Sequence, residues 1–130
     1  MEIKNIAIAL DRAPLDEKAG IKLVKMTGND ELSVYAADIS PNTSLNPHYH
    51  KVGIETYQIL EGKGLMKVGK LVNDYVDWEE TFEAVTGDCF SIPAGTVHQI
   101  INQSDVNLRA IFSCPASHVG HDRYFVLEQE

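Results

Sequence analysis

His48 and His50 are separated by a single residue, and Glu55 follows after a four-residue gap. A third histidine, His98, stands in a second cluster with Gly87, Pro93, Gly95 and Asn102. Three neutral imidazoles and one carboxylate form a borderline-soft donor set, which suits Fe, Mn, Ni, Cu or Zn. Ca and Mg prefer all-oxygen shells and fit it poorly. Four protein donors leave positions open on a five- or six-coordinate ion. An open position is what Lewis-acid or dioxygen chemistry requires.

Such chemistry needs the side chains to converge, and strand parity supplies a way. Residues i and i+2 of a strand face the same side, so His48 and His50 can point together into a barrel while Tyr49 points away. The gap Lys51-Val52-Gly53-Ile54 is wide enough for a turn, after which Glu55 can face inward on a neighbouring strand. Tyr57 and Ile59 share the parity of Glu55 and are read as pocket lining. Pro93-Ala94-Gly95 forms a turn, His98 opens the next strand with Gln99 outward, and Ile100 and Asn102 share the face of His98. Asn102 is expected to bond backbone near the mouth of the site.

The elements behind these positions read as β throughout. Helical periodicity is nearly absent, and short β-prone runs alternate with turn residues at close intervals, the mark of a sandwich or barrel. The expected strands are Ile3–Leu10, Ile21–Met26, Leu32–Ile39, Thr56–Glu61, Gly64–Val68, Thr81–Val85, Cys89–Ile92, His98–Asn102, Leu108–Ser113 and Tyr124–Leu127. Gly28-Asn29-Asp30, Pro41-Asn42, Glu61-Gly62-Lys63-Gly64 and Thr86-Gly87-Asp88 carry turn chemistry. Asp11–Gly20 suits either a helical turn or a loop. Gly69–Glu80 reads as an exposed hairpin, with Trp78 capping the barrel or packing on its surface.

These two segments resemble the motifs of the cupin superfamily. Asn42, His48, His50, Glu55 and Gly62 follow the first motif, G-x-x-x-x-x-H-x-H-x-x-x-x-E-x-x-x-x-x-x-G, over residues 42–62. Asn42 stands where the pattern has glycine, a mild departure, since Asn also tolerates the left-handed region. Gly87, Pro93, Gly95, His98 and Asn102 match every position of the second motif, G-x-x-x-x-x-P-x-G-x-x-H-x-x-x-N, over residues 87–102. The resemblance implies a small single cupin domain over residues 1–130, an all-β double-stranded β-helix related to the jelly roll. It also implies that His48, His50, Glu55 and His98 bind a divalent transition metal (Fe, Mn, Ni, Zn or Cu).

Composition narrows the partners. The formal net charge is -8 over 130 residues, and no Lys/Arg cluster is long enough to track phosphates. Nucleic acid and anionic membrane surfaces are therefore not expected. No apolar run approaches a membrane span. The first residues lack a basic segment followed by an apolar stretch, and Cys89 and Cys114 form no CxxC pair. Both features point to reduced thiols and a cytoplasmic location. Both cysteines are read as small buried strand residues. Arg109 is expected to point outward as a solvated or interface charge, because its neighbours Leu108 and Ala110 are apolar. His118 and His121, lying in Pro115–Asp122, are read as surface-loop residues.

Three functions fit this pattern. One is a metal-dependent enzyme acting on a small polar molecule, for which the resemblance implies dioxygenase-like or isomerase/lyase chemistry. Another is a non-catalytic small-ligand-binding or sensor cupin, and a third is a structural barrel without metal. A homodimer is expected, with Ile3–Leu10 and Tyr124–Leu127 as the contributing strands.

Overall fold

The computed structural model describes residues 1–129. Two antiparallel sheets face each other. One has the order β1-β2-β10-β5-β8, built from β1 (Ile21–Gly28), β2 (Ser33–Ile39), β10 (Leu108–Cys114), β5 (Glu55–Glu61) and β8 (Cys89–Ile92). The other has the order β11-β4-β9-β6-β7, from β11 (Tyr124–Phe125), β4 (His48–Tyr49), β9 (Val97–Asn102), β6 (Lys63–Val72) and β7 (Tyr75–Val85), with β3 (Thr43–Ser44) also paired to β9. This is the double-stranded β-helix expected from the motifs.

Alternation explains the core. Along β10, Leu108, Ala110, Phe112 and Cys114 point inward and meet Tyr35, Ile39, Tyr57 and Ile59 of their own sheet and Met66 and Ile100 of the facing one. The outward residue Ile111 belongs to a second cluster with Leu10, Met26 and Ala36. That cluster buries the contact of a helix with the outer face of the first sheet.

The helix, α1 (Ile6–Arg12), replaces the strand expected at Ile3–Leu10. Asn5 caps it, its side-chain oxygen accepting the Ile8 N–H at 3.0 Å, and one face delivers Leu10 to the cluster. The apolar β-branched residues of this run suggested a strand, but the N-cap and the burial of a single face decide for a helix. Arg109 points outward as expected and ties α1 to the sheet. Its guanidinium donates to Asp38 at 2.9 Å and to Asp11 at 2.7 Å.

The turns follow their residues. Asn42 takes φ +54, so asparagine does stand in for glycine in the left-handed region. Asn73 and Asp74, at φ +50 and +70, join β6 to β7, and two positive φ values are what a tight hairpin turn of matching twist demands. The expected hairpin over Gly69–Glu80 is thus a continuation of β6 and β7. Trp78 packs on its surface beneath Lys67, whose Nζ stands 4.4 Å from the ring centroid. Cys114 is buried as expected, whereas Cys89 is exposed, because it lies on the solvent-facing parity of edge strand β8. No helix among the described residues is long and apolar enough to cross a membrane.

Candidate metal centre

β4, β9 and β5 bring the four motif residues together. His48 pairs directly with His98 across β4 and β9, which sets their rings 4.4 Å apart. His50 follows β4, and Glu55 opens β5 on the opposite sheet. One donor atom from each of His48, His50, Glu55 and His98 lies within 4.8 Å of the others, so the group could hold a metal ion.

The hydrogen bonds fix how each imidazole faces the centre. His48 Nδ1 donates to the Asn46 carbonyl at 2.9 Å, His98 Nδ1 to Thr96 at 3.0 Å, and His50 Nδ1 to Asp122 at 2.6 Å. A carbonyl only accepts, so each Nδ1 carries the proton and each Nε2 offers its lone pair. Orienting a ligand histidine through its other nitrogen is how metal sites set the tautomer. His50 Nε2 stands 2.8 Å from Glu55 Oε2 and His98 Nε2 3.7 Å from it. With the ring protons on Nδ1, these contacts set lone pair against lone pair. Glu55 Oε2, His98 Nε2 and His118 Nδ1 are in fact buried without a hydrogen-bond partner. Unpartnered buried polar atoms are uncommon and costly. A cation among them would satisfy the donor set, so these residues fit a divalent ion.

Burial pushes His48 down to about 4, leaving it neutral and able to ligate, and a charge on either neighbouring imidazole would act in the same direction. Burial alone would raise Glu55; where the facing imidazoles take up a second proton, donation from His118, His50 and His98 outweighs burial and holds the carboxyl well below its usual range. Tyr57 is raised well above its ordinary value, by burial first and by the Glu55 charge second. Its phenol therefore stays protonated.

A cavity of about 580 Å³ opens onto His48, His50, Glu55 and Tyr57. Ile21, Leu23, Tyr35, Leu45 and Phe112 give it apolar walls, and Lys18, Arg123 and Asp16 bring charge to it. Tyr57 is among the residues lining the cavity, and its ring packs on Phe90 and Phe112 at 5.1 and 4.7 Å.

His118 is the residue that the sequence reading misplaced. It is buried, not a surface-loop residue. Its ring lies flat on His50, with centroids 3.9 Å apart and planes 2° apart, and its Nδ1 is 3.6 Å from Glu55 Oε2. His121 stays exposed. Asn102 bonds backbone as expected, its amide donating to Ile39, Ser40 and Val106 carbonyls at 3.0, 3.2 and 2.8 Å. It sits at the far end of β9 from His98, roughly 13 Å along the strand, and so serves the barrel's other end rather than the site. Gln99 takes the outward parity but is buried, donating to the Leu45 carbonyl at 2.9 Å.

A model of the family described as Cupin domain matches residues 36–114, more than half of the chain. The chain belongs to the cupin family. An uncharacterized protein of Methanocaldococcus jannaschii is 36% identical over 81 residues, covering 62% of this cupin and 57% of that relative. The aligned part is thus little more than half the length of the relative. Among solved structures, an uncharacterized conserved protein with a double-stranded beta-helix domain from Klebsiella pneumoniae superposes with TM-score 0.71 at 13% identity, covering 98% of each chain. KdgF from Halomonas superposes with TM-score 0.61 at 17% identity, over 74% of this chain and 81% of its own. These likenesses are of fold.

Proposed function

We propose that this cupin holds a divalent transition ion on His48, His50, Glu55 and His98, and acts as a metal-dependent enzyme on a small polar molecule. The observation that carries the reading is the set of three Nε2 lone pairs and one carboxylate around a shared point, with His50, Glu55 and His98 buried and polar atoms left unpartnered. Fe, Mn, Ni, Zn and Cu all suit that set. When bound, such an ion supplies Lewis-acid or redox chemistry at its open positions, the basis of dioxygenase-like or isomerase/lyase activity.

The chain's own residues define the rest. Apolar walls flank the approach to the donors. Tyr57 keeps its proton and can donate a hydrogen bond toward the cavity. With Glu55 committed to the ion, Lys18 and Arg123 outnumber Asp16 on the cavity lining and favour a substrate with an anionic group. A cytoplasmic location and a homodimer belong to the same reading. Exposed Leu71, Val72, Tyr75 and Leu127 gather where the tip of the hairpin meets the C-terminal segment, a surface a second copy would cover.

The test is turnover by metal-loaded protein on a panel of diketones and hydroxy acids, followed by O₂ uptake and product analysis. Turnover that needs the metal supports an enzyme. Tight ligand binding to the loaded protein with no turnover would replace it with the sensor reading.

A further inference from the structure

The three ligand histidines are not oriented alike. The carbonyls that fix His48 and His98 come from two residues earlier in the chain, whereas that of His50 belongs to Asp122, 72 residues away. The same residue grips the loop that follows. The two carboxylate oxygens of Asp122 accept the N–H groups of Lys51 and Val52 at 2.7 and 3.0 Å. From the other side His118 Nε2 donates to the Val52 carbonyl at 2.6 Å. Gly53, at φ +80, passes so close to Pro115 that a Cβ would stand 2.8 Å from its Cγ.

Lys51–Ile54 is the connection between His50 and Glu55, and it has no strand pairing of its own. Lys51, Val52 and Ile54 are exposed, so burial of their side chains does not hold it. Its order comes from Pro115–Asp122, a segment braced by its own bonds from the Gly120 and Asp122 amides to the Ser117 carbonyl at 3.0 and 2.9 Å. His118 then reaches both neighbouring donors, lying flat on His50 and facing Glu55 Oε2. The whole segment lies beyond residues 36–114 that match the family.

We propose that Pro115–Asp122 is a clamp that presets the metal centre, with His118 and Asp122 as positioning residues for His50 and Glu55. Orienting groups behind metal ligands commonly change metal affinity by about 10–100-fold, and a ligand loop held in place before binding loses less freedom when the ion arrives. The inference rests on the metal reading above.

The experiment titrates Co²⁺ into metal-free wild type, Asp122→Ala, His118→Ala and His118→Phe by chelator competition. It also records the visible ligand-field spectrum of each loaded protein and the melting temperature of each metal-free one. The expected result is Co²⁺ affinity about 10–100-fold weaker in Asp122→Ala and His118→Ala, with altered spectra. His118→Phe keeps a ring to stack on His50 and recovers part of the loss. A purely structural role would lower the melting temperature of the metal-free protein but leave affinity and spectrum at wild-type values, and that outcome overturns the proposal. Should one variant fail to fold, the others decide by the same criteria. Wild type that binds no Co²⁺ overturns the metal reading itself, a result visible in the control titration.

Discussion

Acid is expected to destabilise the metal-free protein through His48. The half-buried imidazole stands against His98 and His50, and its loss of solvent pushes its pKa from 6.5 down to about 4. Unfolding returns it to water and to its ordinary value, so across that interval the unfolded chain takes up a proton that the folded chain refuses. The stability tied to this group is complete above pH 6.5 and disappears as pH falls through the folded value near 4. At about 1.4 kcal/mol per pKa unit, the loss amounts to about 3 kcal/mol. His118 works in the other direction. Burial lowers it, but Glu55 and the Val52 carbonyl outweigh burial and raise it, so its stabilisation is present in acid and lost as pH rises through its folded pKa. Comparing wild type with His48→Gln cancels the His118 contribution, because both proteins retain it. The assay is urea denaturation of both proteins in chelator, at neutral pH and near pH 4. Wild type should lose about 3 kcal/mol more than His48→Gln on acidification. Equal losses in the two proteins would refute the reasoning.

Three further outcomes follow from the packing. Arg109→Ala leaves the buried Asp38 carboxylate with Asn107 as its remaining side-chain partner; urea denaturation should show a loss of about 2–4 kcal/mol, with metal content unchanged. Gly53→Ala places a Cβ against Pro115 at φ +80; it should cost about 1–3 kcal/mol and weaken metal binding, read by calorimetry with and without metal. A thiol reagent should label one cysteine rapidly in the native protein, with mass spectrometry placing the label on Cys89. Cys114 is buried, and burial first, then the Glu55 charge, push its thiol up to about 12.

Much of the site was legible because it is periodic and local. Parity puts His48, His50, Glu55 and His98 inward, and the turn chemistry at Asn42, Gly62, Gly87 and Gly95 appears as positive φ at each position. The register of β4 on β9, with His48 opposite His98, is the same pattern realised in space. Ile3–Leu10 was misread because apolar β-branched residues outweighed the Asn5 cap, a helix-start signal present in the sequence. His118 left no comparable signal. Its role depends on where a loop from beyond β10 packs, and neither spacing nor composition reports contacts between residues so far apart in the chain. Cys89 shows the limit of propensity, since a β-prone residue on an edge strand is buried or exposed according to parity alone.

The most direct test is elemental analysis of the protein purified anaerobically, with His98→Ala prepared alongside as the control. Wild type should carry one divalent transition ion per chain, and His98→Ala should lose most of it. Wild type that stays empty after incubation with Fe, Mn, Ni, Cu and Zn salts, or equal metal content in the two proteins, would contradict the assignment of His48, His50, Glu55 and His98 as the metal centre.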